Sequence, residues 1–331
     1  MKFLRLGFVM RMREIVAKTR SRIDPLYIAR KKRLRRRQEE SNRPYELEEE
    51  GFWRPDIMGL EETLRYIIDH RCSVTRFGDG ELELVADRDM LFEDANAEMK
   101  KRLIDILANP IDSCLCCIPN SYGSLERYVS RDLLFWRDFA LWSRPLLEKY
   151  LHASYRGVSP ETRCVLGDPQ ISRAYLGIAD KTIAPKVFAL WKELFKNKDI
   201  LLVEGRFSRL GIGNDLLSGA KSVRRIWCPP KGAFALYDDI LAAIKSNAKA
   251  GDLILLALGA TATILSYDLA KLGYWAIDTG HLDVEYMWMK MGAMDKVAIP
   301  GRYVSEVTGA QEQKAVPGEE SNFNVIAKVG C

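Results

Sequence analysis

From about residue 52 onward, two hydrophobic patterns alternate along the chain. Apolar residues at helical spacing predict helices near residues 58–70, 95–108, 130–151, 184–196, 235–249 and 261–272. Short β-rich runs separate them, near residues 73–77, 114–118, 163–166, 199–203, 223–228, 252–258 and 274–277. Strand followed by helix, repeated in this way, predicts an α/β fold with a mostly parallel sheet covered by helices on both faces.

The composition divides the chain into three parts. Residues 1–50 are dense in charge and predict a basic N-terminal helical arm, either an exposed helix or a mobile segment. Residues 51–305 are expected to form the folded domain. Residues 306–331, with several glycine, proline and serine residues, predict a loosely structured C-terminal tail.

The net charge of +5 hides an asymmetry between the arm and the rest. Residues 1–37 hold 14 Lys or Arg and two acidic residues, a net charge of +12, so the remaining 294 residues carry −7. An acidic body is not expected to bind nucleic acid in general. Apolar residues between Phe3 and Val9, beside many arginines, suit a peripheral contact with anionic lipid, and a solvated basic tail is the alternative.

The seven cysteines lie mostly in apolar runs and are typical of reduced, buried thiols in a cytosolic protein. Cys114 and Cys117 have the spacing of a metal knuckle, but no second pair completes a four-ligand zinc site. The first ten residues are similar to the start of a signal peptide, yet Arg11 and Arg13 interrupt them. We therefore expect a cytoplasmic protein, with a peripheral contact at the inner face of the membrane if the arm binds lipid.

The densest cluster of candidate chemistry is Arg76-Phe77-Gly78-Asp79-Gly80-Glu81, directly after a predicted strand. Two carboxylates separated by one glycine can bind one hard cation through oxygen ligands. Arg76 and the glycines supply a positive charge and a backbone that phosphate can approach closely. The segment therefore suggests a metal-assisted phosphate site, and a solvated turn is the alternative.

Other predicted strands also end in polar, glycine-rich segments, where ligands of parallel sheets bind. Gly259-Ala260-Thr261-Ala262 opens a helix that could hold a phosphate, or it is a tight turn. Gly211-Ile212-Gly213-Asn214-Asp215, preceded by Arg206 and Arg209, favours anion binding. Pro229-Pro230 either supports a nucleobase or only ends its strand.

The segment from Gly280 to Glu285 places one imidazole near two carboxylates. His281 is a candidate third metal ligand or base, although a single histidine is often structural. Asp283 and Glu285 are candidates for a general base.

Taken together, these segments resemble the GT-D type glycosyltransferases, a bacterial family. The resemblance runs from about residue 57 to 291 and does not cover the arm. The stretches that carry it are Arg76–Glu81, Glu204-Gly205-Arg206, Gly211–Asp215, Ile226–Phe234, Leu258–Ala262 and Asp278–Tyr286.

The resemblance implies a Rossmann-like fold and a UDP-sugar donor whose sugar passes to a hydroxyl of a glycan, glycoprotein or lipid-linked acceptor. It also implies Mn²⁺ or Mg²⁺ held by Asp79 and Glu81, to which the segment from Gly280 to Glu285 adds His281 as a candidate third ligand. Asp283, Glu285 and His281 are the candidate catalytic residues. The expected nucleotide-sugar contacts are Arg76, Gly78, Glu204, Arg206, Gly213, Asn214, Asp215, Pro229, Gly259 and Thr261.

Two other functions remain open from the residues alone. The same segments suit another metal-dependent phosphate-ester enzyme, such as a phosphatase or nucleotidyltransferase. They also suit a non-catalytic protein that binds a nucleotide sugar.

Overall fold

A computed structural model shows the architecture of the protein. It describes residues 55–88, 96–122, 125–156, 164–304, 306–307 and 318–331, so the predicted N-terminal arm lies outside the described residues. Eight strands form one sheet in which every paired strand is parallel to its neighbour. In chain order they are β1 Ser73–Arg76, β2 Cys114–Cys117, β3 Leu166–Gly167, β4 Asp199–Gly205, β5 Ser222–Cys228, β6 Leu253–Ala257, β7 Trp275–Asp278 and β8 Val325–Lys328. The predicted α/β fold with a parallel sheet is confirmed.

The six predicted helices are also present, with ends shifted by a few residues. The α-helices of the described residues are α1 Leu60–His70, α2 Asp79–Val85, α3 Ala97–Ala108, α4 Leu133–Tyr150, α5 Ile183–Phe195, α6 Tyr237–Asn247, α7 Ala260–Lys271, α8 Leu282–Met291 and α9 Glu319–Asn322. Helices α2 and α8 occupy segments that we predicted as loops. Across the described ranges, we find no helix that combines the length and apolarity needed to span a bilayer.

The centre of the sheet is buried on both faces. In β6 the run Leu253-Ile254-Leu255-Leu256 has no polar side chain, and all four residues are fully buried. Strand β4 is buried from Ile200 to its end at Gly205. Continuous apolar strands of this kind are typical of parallel sheets between two helix layers.

The strand order is β3-β2-β1-β7-β6-β4-β5-β8. The connections from β1 through β2 to β3, and from β6 to β7, all move toward the β3 edge. The connection from β3 to β4 moves the opposite way, so right-handed crossovers place α5 on the face opposite α2, α3, α4 and α7. In agreement, α7 packs on β1, β6 and β7, whereas α5 packs on α1.

The end of the chain departs from the predicted loose tail. Helix α9 and strand β8 fall within residues 306–331, and β8 extends the sheet by pairing with β5 at Arg225 and Val325. Buried Glu319 forms an ion pair with Arg209. The prediction is wrong for this segment. Strand β8 has only four residues, and only alternate side chains are partly buried, so its hydrophobic pattern is too weak to predict a strand.

Candidate active site

The carboxyl ends of the strands surround one cavity of about 820 Å³. Its wall includes Gly205, the last residue of β4, and residues that follow β1, β7, β6 and β5, namely Gly78, Gly280, Gly259 and Pro229. This volume lies within the usual range for sites that take small molecules and cofactors. The predicted convergence of these loops on one edge of the sheet is therefore present.

The strand order explains why the cavity forms here. The chain leaves β1 toward β2 on one side, whereas it leaves the neighbouring β7 toward β8 on the other side. The same reversal occurs between β4, which leads to β5, and its neighbour β6, which leads to β7. Crevices for ligands open where adjacent connections diverge, so the two reversals create one long crevice.

Asp79 and Glu81 both lie on the cavity wall, but in a helix and not in a loop. They occupy the first and third positions of α2. Asp79 is exposed, whereas Glu81 is half-buried and accepts a hydrogen bond of 2.7 Å from the Gly78 backbone N–H. Burial, and then the nearby Asp278, raise the pKa of Glu81 to about 7.

Arg76 lines the cavity but is largely engaged by the protein. Its guanidinium donates to the carbonyl and the carboxylate of Asp278, at 3.0 and 3.1 Å, and to the Ser172 hydroxyl at 2.7 Å. Gly280 makes room for it, because a Cβ there would lie 1.8 Å from an Arg76 nitrogen. Arg76 therefore ties the ends of β1 and β7 to the segment after β3.

The turn between β6 and α7 brings backbone to the cavity. Gly259 lies on the wall and precedes the first helical residue with φ 56° and ψ −143°, a conformation that only glycine adopts readily. Helix α7 has twelve residues, and its free N–H groups suit an anion. Thr261, by contrast, is fully buried and does not belong to the cavity wall, so it does not contact a ligand there.

Glu204 is not a nucleotide contact, because it is fully buried beneath the loop that follows β4. It forms an ion pair with Arg225 and accepts a hydrogen bond of 2.9 Å from the Leu210 backbone N–H. Arg225 also donates to the Leu210 carbonyl at 2.9 Å. The pair thus fixes this loop at Leu210.

Asp283 fixes the next residues of the same loop and is not part of the cavity wall. It accepts hydrogen bonds from the Gly211 backbone N–H at 2.8 Å and the Asn214 side chain at 2.7 Å, and it forms an ion pair with Arg302. A buried carboxylate with these partners is not available as a general base. The assignments of Asp283 and Asn214 to chemistry or nucleotide binding are therefore corrected.

The remaining predicted contacts of this loop also lie off the cavity wall. Gly213 is exposed, and exposed Asp215 forms an ion pair with Lys192 at 2.5 Å and accepts from the Tyr286 hydroxyl at 2.7 Å. The Arg206 guanidinium lies 5.1 Å from the centre of the Trp227 ring. Gly205, Ser208 and Pro229 form the nearby wall in their place.

His281 lies on the wall within a charged cluster. Its Nδ1 is 2.8 Å from an Arg173 nitrogen, and its Nε2 is 3.8 Å from Glu306. Burial, and then Arg173, lower the pKa of His281 to about 3. A neutral imidazole that already accepts from an arginine is a weak proton acceptor, so the structure does not support His281 as the base.

Glu285 borders the cavity but is almost fully buried. One carboxylate oxygen accepts from the backbone N–H groups of Tyr175 and Leu176, at 3.0 and 2.9 Å. Burial raises the pKa of Glu285. These contacts give it a structural role in holding the segment after β3 against α8.

The sequence reasoning missed much of the cavity wall. The missed residues that carry charge or an aromatic ring are Glu83, Arg131, Asp132, Phe135, Trp136, Arg173, Asp295, Lys296, Tyr303 and Glu306. The rule that ligands bind after strand ends could have found Arg173, because it follows β3. The helical pattern around Phe135 does not show which side of α4 faces a ligand.

No three histidine, cysteine, aspartate or glutamate side chains converge within the described ranges. His281 is therefore not brought to Asp79 and Glu81 as a third ligand. The two carboxylates still fit a hard divalent cation, because Mg²⁺ is commonly held by one or two carboxylates together with substrate phosphates. Such a cation would favour the ionised form of Glu81.

Comparison with known proteins identifies a single family. The family model described as "Glycosyltransferase GT-D fold" matches residues 74–307. The chain is 35% identical over 274 residues to "Glycosyltransferase GlyD" of Streptococcus pneumoniae serotype 4 and to "Probable glycosyl transferase Gly" of Streptococcus gordonii. Each match covers 82% of this chain but only 32% and 39% of the two relatives.

Solved structures of similar sequence indicate the same family. A domain of unknown function 1792, described as having a distinct glycosyltransferase fold, shares 36% identity with a TM-score of 0.75 over 83% of this chain and 96% of that one. A glycosyltransferase of the same domain family from Streptococcus sanguinis shares 34% identity with a TM-score of 0.76, over 84% of this chain and all of that one. The resemblance noted in the sequence is confirmed.

Proposed function

The chain belongs to the GT-D fold family of glycosyltransferases, and on that premise we propose that it transfers a hexosyl group from a UDP-sugar to a hydroxyl of an acceptor. The observation that supports this most directly is the meeting of Asp79 and Glu81 with the Gly259 turn on one cavity wall. A diphosphate needs positive or N–H-rich surroundings, which the start of α7 supplies. Acceptors on a glycan, a glycoprotein or a lipid carrier all offer the required hydroxyl.

We place the nucleoside at the β4 and β5 end of the cavity. Pro229 and Pro230 form a rigid apolar surface there, and Gly205 allows it to pack closely, since a Cβ on Gly205 would lie 3.1 Å from the Pro230 Cα. Tyr303 adds an aromatic ring, with the Lys231 ammonium 5.8 Å from the ring centre. A flat apolar surface with a few polar groups suits a nucleobase.

In the proposed reaction, the acceptor oxygen forms a bond to the anomeric carbon of the donor sugar. The bond between that carbon and the β-phosphate oxygen breaks, and its electron pair leaves with UDP. The hydroxyl proton passes to a base. Mn²⁺ or Mg²⁺ held by Asp79 and Glu81 would neutralise charge that develops on the leaving diphosphate.

Calorimetric titration of UDP with and without Mn²⁺ tests the donor site. We expect wild-type protein to bind UDP at least roughly tenfold more tightly with Mn²⁺, and Asp79→Asn to lose that gain. Asp79 is exposed, so its replacement should leave the fold intact. Glu81→Gln is preferable to alanine, because the amide oxygen can still accept from Gly78.

Glu83→Gln is the matched control, since Glu83 lies on the same helix and the same wall but outside the pair. It should retain the Mn²⁺ effect. A wild-type protein that binds no UDP, or binds it equally well without Mn²⁺, would refute the donor assignment. Release of inorganic phosphate from UDP-glucose would indicate another phosphate chemistry.

A further inference from the structure

Beyond Asp79 and Glu81, on the side away from the proposed nucleoside end, the cavity has a wall that contains aromatic and aliphatic residues. Its wall there comes from α4 and from the segment after β3, including Phe135, Trp136, Leu176 and Gly177. Helix α4 packs against α2, so this wall adjoins the helix that carries the two carboxylates. The strand order separates it from Pro229, because β3 and β5 lie toward opposite edges of the sheet.

Phe135 contributes an aromatic ring to this part of the cavity wall. It is 47% exposed, whereas Trp136 and Phe139 on the same helix are buried. The ring contacts Trp136 edge to face, with ring centres 5.1 Å apart, and lies nearly parallel to the Phe139 ring at 6.4 Å. A ring held in place by other rings loses little conformational entropy when a ligand covers its open face.

Asp132 lies one turn before Phe135 and also lines the cavity. The Arg131 guanidinium is 3.7 Å from its carboxylate, which is longer than a hydrogen bond. Although Asp132 precedes the first residue of α4, its side chain makes no capping bond to that helix. Gly177 leaves space beside it, since a Cβ there would lie 3.7 Å from Asp132 Oδ2.

We infer that Phe135 and Asp132 form the acceptor subsite, and that the acceptor group is a sugar ring. This inference rests on the proposed function. The C–H groups on one face of a pyranose match the electron-rich face of Phe135, and hydroxyls at its edge can donate to the Asp132 carboxylate.

Saturation-transfer difference NMR tests the subsite with methyl α- and β-glycosides of glucose, galactose and N-acetylglucosamine, in the presence of UDP and Mn²⁺. We expect at least one glycoside to receive saturation from the wild type at its ring C–H protons. Phe135→Ala should weaken that binding roughly tenfold, and Phe135→Trp should restore it. Asp132→Asn should weaken it while leaving α4 intact, because no capping bond is lost.

Leu141→Ala is the matched control, because Leu141 is 53% exposed on the same helix but is not part of the cavity wall. It should bind the glycoside like the wild type. The subsite is refuted if no glycoside of the set binds, if Phe135→Ala binds as well as Leu141→Ala, or if Phe135→Ala weakens UDP instead. If the wild type binds no UDP, the proposed donor site is refuted. If it binds UDP but no glycoside, only the acceptor subsite is refuted.

Discussion

At the scale of single residues, the environment of a carboxylate decides what it does. Asp79 follows β1 and Glu204 is the penultimate residue of β4, and each precedes a glycine, yet Asp79 is exposed on the cavity wall and Glu204 is fully buried. Glu204 has a cationic partner in Arg225 beneath the loop. Its function is therefore to hold the loop in place, which can be measured separately from ligand binding.

We expect Glu204→Gln to lower the free energy of unfolding by about 3 kcal/mol, because Arg225 would remain buried without its counter-charge. The folded variant should bind UDP as the wild type does. Glu193→Gln is the control, since Glu193 pairs with Arg65 at the surface and should cost less than about 1 kcal/mol. Urea denaturation followed by UDP titration measures both quantities. A stable Glu204→Gln variant with weakened UDP binding would restore Glu204 as a ligand contact.

The sequence predicts which segments reach the cavity more reliably than it predicts the direction of each side chain within those segments. Asp79, Glu81, Gly259 and Pro229 all lie on the cavity wall as expected. Arg206 follows the same strand as the wall residue Gly205, but its side chain turns toward Trp227. That direction depends on packing against the neighbouring strand β5, which a local pattern cannot encode.

At the scale of elements, the predictions failed for α2 and β8, where the local sequence pattern was ambiguous or weak. Gly78 and Gly80 suggested a loop, but Glu81 at the third helical position accepts from the Gly78 N–H and starts α2. The same spacing of an acidic residue could have predicted the helix. Strand β8 was missed because it is short, and its register depends on Arg225 and its neighbours in β5.

Two adjacent glutamates in α9 test whether the end of the chain is part of the fold. Glu319 is buried and pairs with Arg209, whereas Glu320 pairs with Lys328 at the surface. We expect Glu319→Gln to destabilise the protein by about 3 kcal/mol and Glu320→Gln by less than about 1 kcal/mol. Thermal unfolding monitored by circular dichroism compares the two. Equal melting temperatures would mean that α9 and β8 contribute little to stability.

At the scale of the whole molecule, strand order turns scattered motifs into one site. The alternation of strands and helices predicts the parallel sheet and the edge at which ligands bind. It does not predict the order β3-β2-β1-β7-β6-β4-β5-β8, which separates the Pro229 end of the cavity from the Phe135 end. The order depends on long-range pairing between strands such as β1 and β7, which are some 200 residues apart in sequence.

The last prediction concerns the charge of the whole chain. Residues 1–37 carry +12 and the remaining residues −7, so we propose that the N-terminal segment brings the catalytic domain to anionic membranes. Full-length protein should co-sediment with vesicles containing phosphatidylserine, bind less at high salt because surface charges are screened, and ignore pure phosphatidylcholine. A variant that lacks residues 1–40 should stay in the supernatant while binding UDP normally. The truncated variant is expected to stay in solution because its acidic body has no charge-based attraction to an anionic lipid. If it co-sediments like the full-length protein, residues 1–40 are not the membrane contact.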